Sequence, residues 1–129
     1  MKPLIAVLVG GIVGTGLRLL ADTLIPNTET GFPFGTLLVN VLGSFALGLL
    51  VARFWSGTPP WLKAGLGTGL IGSFTTFSAV MVSLVAHGAH ELWLLAVVYF
   101  VITLVLGFAA AAIGLRVGRV TTPIDWVDE

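Results

Sequence analysis

Four long apolar stretches, separated by short polar turns, decide what this chain can fold into. The hydrocarbon core of a bilayer is about 30 Å thick, so an α-helix needs about 20 apolar residues to cross it. Each stretch is that long, and the last carries no charge between Leu92 and Leu115. We therefore predict an all-α membrane protein with four transmembrane helices. The predicted helices cover residues 3–25, 36–55, 61–87 and 91–119.

Composition excludes a soluble module beside these helices. Of the 129 residues, 57% are hydrophobic and 9% are charged, whereas a soluble domain carries about 25% charged residues. Residues 1–119 are predicted to form one transmembrane domain, and residues 120–129 a short acidic tail. The formal net charge is zero, which gives no general attraction to nucleic acid.

The distribution of positive charge predicts how the chain is oriented. Four crossings place both termini and the loop between the second and third helices on one side of the membrane. Only Arg18 falls on the other side. Because cytoplasmic loops are enriched in Lys and Arg, both termini are predicted to be cytoplasmic in a multi-pass protein of the plasma (inner) membrane. The five residues on the predicted cytoplasmic side are Lys2, Arg53, Lys63, Arg116 and Arg119.

The third apolar stretch contains a segment that is unfavourable for a continuous helix. Residues 69–78 read G-L-I-G-S-F-T-T-F-S; glycine weakens a helix, and hydroxyls offer the backbone competing hydrogen bonds. In hydrocarbon, irregular backbone persists only where it is buried in protein or lines a wet cavity. We predict a mid-membrane break near residues 72–77 and an ion or substrate site there. Close helix packing through small residues is the alternative.

The polar residues inside the apolar stretches are all neutral. Asn40 shares one helix face with Thr36 and Ser44, and Tyr99 and Thr103 are one turn apart in the fourth helix. Asn40 can form an interhelical hydrogen bond or offer its N–H groups to an anion. Neutral donors replace part of an anion's hydration without holding it too tightly. This pattern favours a passive anion path over a proton-coupled pump, which needs a buried carboxylate.

Charged and titratable groups lie near the helix ends. Arg18 and Asp22 are one turn apart, which predicts a salt bridge. Arg18 either extends to the membrane interface or stands at the mouth of an anion path. His87 and His90 are spaced for a metal pair, but interfacial histidines are the favoured interpretation. The sequence has no serine-hydrolase, zinc-protease or P-loop motif, so we predict that the protein is not an enzyme.

Four short motifs occur in order, one in each predicted helix. The first is G-x-x-G-x-x-x-R, the second G-T-L-x-V-N-x-x-G, the third G-x-x-T-T-F-S and the fourth a single tyrosine. Their positions are Gly11, Gly14 and Arg18; Gly35 to Gly43, including Asn40; Gly72, Thr75, Thr76, Phe77 and Ser78; and Tyr99. By these motifs, residues 4–119 resemble the small bacterial fluoride channel family (Fluc/CrcB).

The resemblance implies a subunit of a fluoride-selective passive channel that exports fluoride and lowers its cytoplasmic concentration. Two subunits would form an antiparallel dimer in the lipid bilayer, with two pores at their interface. The implied anion-pathway residues are Asn40, Phe77, Ser78 and Tyr99, with Arg18 at a vestibule. The resemblance also implies a structural Na⁺ at the dimer centre, held by the backbone carbonyls of Gly72 and Thr75.

Two departures from the family pattern keep other interpretations open. The family reads T-T-F-S-T-F-S, whereas Ala79 replaces the third Thr and Val80 the second Phe here. An antiparallel homodimer also needs one chain inserted both ways, which the charge distribution opposes. A half-functional or non-conducting subunit of a heterodimeric channel is therefore an alternative. A small proton-coupled multidrug exporter is disfavoured, because residues 3–17 contain no acid.

Overall fold

The computed structural model describes residues 1–120, and every secondary-structure element within them is a helix. The prediction of an all-α protein with four spans is confirmed, since four helical spans are long and apolar enough to cross a membrane. Of the predicted tail, Val120 is the last residue of the final helix, and residues 121–129 lie outside the described residues. The spans are α1 (Lys2–Leu24), α2 (Phe34–Phe54), a third span over Pro60–Ala89, and a last helix, α6 (Trp93–Val120).

The third span consists of four helical pieces. They are α3 (Pro60–Lys63), a π-helical segment (Ala64–Ile71), α4 (Gly72–Phe74) and α5 (Ser78–Ala89). Extended backbone at Thr75, with φ −78° and ψ 156°, ends α4. The helix thus continues through Gly72, and the non-helical part is confined to residues 75–77. The π-helical turns, which the sequence analysis did not predict, occur where glycine alternates with other residues.

Glycines let α1 lie directly against the π-helical segment. A Cβ atom added at Gly10 would be 2.9 Å from the backbone nitrogen of Leu70, and one at Gly69 would be 2.7 Å from the Val7 carbonyl oxygen. Real side chains do not tolerate such distances, so backbone meets backbone here. We call the four glycines at this contact the glycine seam: Gly10, Gly14, Gly65 and Gly69.

A second close contact joins α2 to α6. A Cβ atom at Gly48 would be 3.1 Å from the Leu115 backbone nitrogen, and one at Gly114 would be 2.9 Å from that of Leu49. The subunit is thus built from two closely packed pairs, α1 with the first half of the third span and α2 with α6, while α5 packs on α6.

Contacts at the helix ends show which parts of the chain lie together. Lys2 and Trp61 line one groove, which brings the N-terminus beside the start of the third span. At the far end of α6, Gly118 lies against the backbone of Arg53 at the end of α2. Both contacts agree with a topology in which the two ends of the described chain and the loop between α2 and α3 lie at the same end of the helix bundle.

The outside of the subunit is apolar along most of its length. Large side chains such as Leu8 and Phe108 are more than half exposed, and Phe108 reaches 74%. In water such a surface would be unfavourable, whereas in a bilayer it meets acyl chains. The large apolar exterior therefore agrees with the four membrane-spanning lengths.

Candidate functional site

The side chain of Asn40 is joined to the break in the third span by two hydrogen bonds. Its Nδ2 donates to the Thr76 carbonyl oxygen at 2.9 Å, and its Oδ1 accepts from the Thr76 backbone N–H at 2.8 Å. A carbonyl can only accept and an N–H can only donate, so this pairing fixes the orientation of the amide. Asn40 thus replaces the helical hydrogen bonds that Thr76 lacks.

Hydroxyl groups satisfy further backbone groups on both sides of the break. The Thr75 hydroxyl donates to the Ile71 carbonyl at 2.9 Å, which closes the end of α4. The Thr76 hydroxyl accepts from the Ala79 N–H at 3.1 Å and lies 3.1 Å from the Ser78 hydroxyl. Thr76 therefore caps the first turn of α5. These bonds explain why the sequence places hydroxyls together at this point.

Two carbonyl groups at the break keep their oxygens free. The N–H of Thr75 donates to Ile71 and the N–H of Thr76 donates to Asn40, so neither continues the ladder to Gly72. Within residues 1–120 no hydrogen bond reaches the carbonyl oxygen of Gly72 or Thr75. Gly72 is exposed on the subunit surface. Free carbonyl oxygens are ligands of the type that hard cations prefer.

A cavity of about 250 Å³ lies beside the break, between α2, the third span and α6. Every residue in its wall is neutral, so no carboxylate is available for proton exchange and no fixed cation to hold an anion. The wall is mainly apolar, with a few amide and hydroxyl groups. It is lined by Asn40, Gly43, Ser44, Leu47, Ile71, Thr75, Thr76, Phe77, Val80 and Thr103.

Hydrogen-bond donors remain available in this wall. Asn40 uses one of its two amide hydrogens on Thr76, and the second has no acceptor among the described residues. The Thr103 hydroxyl is buried and likewise has no partner in the part of the chain described. Gly43 leaves the room that Thr75 fills, because a Cβ atom there would collide with the Thr75 methyl group. The wall therefore contains uncharged donors without a partner among mainly apolar groups.

Phe77 and Ser78 lie at the outer edge of the break. Phe77 lines the cavity, yet 67% of its surface is exposed, and Ser78 is exposed as well. Val80, which stands where the family pattern has a second Phe, is only 1% exposed and also lines the cavity. The ring of Phe77 is thus the one aromatic group that the described residues place in this wall.

Tyr99 lies behind the cavity wall. Its side chain is wholly buried, and its hydroxyl has no hydrogen-bond partner in residues 1–120. The hydroxyls of Ser83 and Thr103 interact with it from nearby without reaching hydrogen-bonding geometry. Thr103 lies between Tyr99 and the cavity, because it is one turn further along α6 and lines the cavity.

Arg18 is not among the residues that line the cavity. Its Nε is 4.0 Å from the Asp22 Oδ2, which confirms the predicted salt bridge, and about a third of its side chain is exposed. A pair this long and this accessible contributes little to stability. The carboxylate beside it also reduces the attraction that Arg18 alone would exert on an anion.

The two histidines do not form a metal pair. His87 is fully buried with its Nε2 3.0 Å from the Gly31 carbonyl oxygen, and His90 is 3.2 Å from the Glu29 carboxylate. The expectation that both lie at the membrane interface stays a prediction, and His87 contacts a loop rather than solvent. In the described chain no three His, Cys, Asp or Glu residues are grouped to hold a metal ion. Sequence periodicity could not reveal this contact, because Gly31 and His87 are 56 residues apart.

Comparisons with known proteins agree with this architecture. Residues 5–115 match the family described as CrcB-like protein, camphor resistance (CrcB). A fluoride-specific ion channel FluC 2 of Halalkalibacterium halodurans is 42% identical over 92 residues, 70% of this chain and 67% of that protein. A FluC of Xanthomonas euvesicatoria is 38% identical over 121 residues, covering 92% and 91% of the two chains. A FluC 1 of Staphylococcus aureus is 36% identical over 115 residues, covering 87% and 93%. On these matches, the chain belongs to the CrcB family.

Proposed function

We propose that this chain is a subunit of a passive, fluoride-selective channel that lets fluoride leave the cytoplasm. The observation that carries the proposal is the cavity beside the break, whose only polar groups are neutral amides and hydroxyls. Family membership and the FluC relatives support the choice of ion. A conduction path of this kind makes and breaks no covalent bond, so the protein is not an enzyme.

In the proposed path, fluoride exchanges water for protein dipoles. The free N–H of Asn40 and the hydroxyl of Thr103 donate hydrogen bonds to it, and the edge of the Phe77 ring offers the positive part of its quadrupole. Ser78 and Tyr99 extend the polar track on either side of the cavity, and Arg18 lies at a vestibule. Because no wall residue is ionised, the anion is attracted weakly enough to leave again.

The exposure of Phe77 and Ser78 supports a path shared between two subunits. A second subunit in the opposite orientation would cover the edge of the break and complete the wall of the cavity. The free carbonyls of Gly72 and Thr75, two from each subunit, would hold Na⁺ at the centre of such a dimer. When bound, Na⁺ would balance the partial negative charge of these unpaired oxygens.

We further propose that the partner is an oppositely oriented paralogue, so that the channel is a heterodimer. The burial of Val80 favours this variant, since this chain places one Phe in the cavity wall where the family pattern has two. The uneven charge distribution, five Lys and Arg residues on one side and one on the other, also favours a single orientation with both termini cytoplasmic.

Fluoride efflux from liposomes tests the function. Liposomes loaded with potassium fluoride receive the purified chain alone, and a fluoride electrode records release after potassium permeability is supplied. Release well above that of empty liposomes supports a homodimeric channel. Release only when a candidate partner is co-reconstituted supports the heterodimer. No release in either case, from protein that remains monodisperse, rejects the channel function.

A further inference from the structure

The loop between α1 and α2 is anchored to the third span by a buried histidine. His87 has no exposed surface, and its Nε2 is 3.0 Å from the carbonyl oxygen of Gly31. Since a carbonyl only accepts, Nε2 carries the proton in this bond. The other ring nitrogen, Nδ1, is buried and has no partner within residues 1–120. A single hydrogen bond therefore fixes the orientation of this imidazole.

The rings of His87 and Phe32 both pack against Tyr99, and the hydrogen bond from His87 to Gly31 links the segments that carry them. The His87 ring meets the Tyr99 ring edge-on, with centroids 6.1 Å apart and planes at 83°. Phe32, the residue after Gly31, does the same at 5.4 Å and 84°. Phe32 in turn packs on Phe34 at 4.7 Å, where α2 begins. Such edge-to-face pairs are favourable arrangements for aromatic rings.

The contacts of Tyr99 show why its position depends on these rings. Its hydroxyl reaches hydrogen-bonding geometry with no described residue, and the Ser83 and Thr103 hydroxyls interact with it only from nearby. Packing on the ring must therefore orient the phenol, and the described rings that contact it are those of His87 and Phe32. The position of this buried hydroxyl therefore follows from the position of the ring.

We propose that His87 is a positioning residue for Tyr99: its hydrogen bond to Gly31 fixes the two rings that hold the phenol beside the path. This inference rests on the proposed function only for the role of Tyr99 in conduction. It assigns the loop a part in building the path, although no loop residue lines the cavity.

Tyr99 is the only tyrosine in the chain, so incorporation of 3-fluorotyrosine gives a single ¹⁹F signal from it. The variants H87Q and H87F separate the hydrogen bond from ring packing. Glutamine keeps an N–H donor of similar reach but has no ring, whereas phenylalanine keeps a ring but has no donor. H90Q is the matched control, because His90 contacts the exposed Glu29 and not Tyr99.

We expect H90Q to retain the ¹⁹F signal and the efflux of the unsubstituted channel. H87Q keeps the donor to Gly31 but loses one of the two rings at Tyr99, so its ¹⁹F signal should shift while most of the efflux remains. H87F should shift or broaden the signal and reduce efflux about tenfold, as expected when a buried carbonyl loses its donor. If H87F keeps both signal and efflux, the hydrogen bond has no positioning role and the proposal is rejected. A changed signal with unchanged efflux would support the positioning role of His87 and overturn the placement of Tyr99 beside the path.

Two further measurements keep the result clear. ¹⁵N spectra of the histidine side chains in the unsubstituted channel must show a His87 with the proton on Nε2; a proton on Nδ1 alone would overturn the proposal even if H87F failed to fold. If the unsubstituted chain, alone and with a partner, conducts no fluoride, the channel function fails. The ¹⁹F comparison still decides whether His87 positions Tyr99.

Discussion

Replacing Asn40 with aspartate separates the structural role of this residue from its proposed contact with the anion. An aspartate keeps the oxygen that accepts the Thr76 N–H but loses the group that donates to the Thr76 carbonyl. The free N–H that faces the cavity becomes an oxygen at the same time. One donor to the backbone and one donor to the anion are thus exchanged for a negative charge.

The size of each effect follows from the contacts. A buried carbonyl that loses its donor destabilises the fold by about 1–3 kcal/mol, which the protein can survive. Two unit charges about 4 Å apart repel by about 4 kcal/mol at an effective dielectric constant of about 20. That repulsion alone corresponds to about a thousandfold loss of anion flux. The flux should therefore fall far more than the stability.

The assay is fluoride efflux from liposomes, with thermal unfolding measured in the same preparations. Asn27→Asp is a matched control, because the Asn27 amide donates to the Thr36 hydroxyl at 2.7 Å from the exposed loop, away from the cavity. We expect this control to keep the efflux of the unsubstituted channel. Undiminished efflux in Asn40→Asp would remove Asn40 from the path and refute the proposed site.

Three other predictions test different parts of the structure. Gly14→Ala should lower the free energy of unfolding by about 1–3 kcal/mol, because its Cβ atom would collide with the Leu70 carbonyl. Gly16→Ala is the control: its Cβ atom would meet nothing within 4 Å, so stability should stay equal or rise. Equal melting temperatures of the two variants would contradict the glycine seam. Tyr99→Phe removes a buried hydroxyl without a partner and should leave stability equal or higher while efflux falls, whereas unchanged efflux would exclude this hydroxyl from the path. Replacing Na⁺ with N-methyl-D-glucamine on both sides should weaken the dimer on native gels and reduce efflux, and identical behaviour in both cations would argue against the carbonyl site.

Hydropathy and spacing were sufficient to predict the four spans and the Arg18–Asp22 pair. Both depend on residues that are close in sequence, where helix geometry alone decides the outcome. The same is true of the composition around Thr75 and Thr76, which marks where the helix changes. These signals are local, so one sequence contains them in full.

Contacts between distant residues were beyond the same reasoning. Asn40 offered two interpretations from the sequence, and the structure shows it bonded to the backbone of Thr76, 36 residues away. The second amide hydrogen of Asn40 has no partner among the described residues, so it can still donate to an anion. The burial of His87 depends on how a loop folds back over α5, which no helical period records. Packing of one segment on another decided these cases, as tertiary contacts commonly override local preference.

The glycine seam affects how the subunit assembles in lipid. Where Gly10 and Gly69 meet the facing backbone, no side chain has to give up rotamers when α1 docks, so little conformational freedom is lost. The attraction comes from shape and short-range dispersion alone, because acyl chains are as apolar as the helices. A solvent molecule slim enough to enter that groove would compete directly with α1. Short-chain detergents should therefore loosen α1 from the third span.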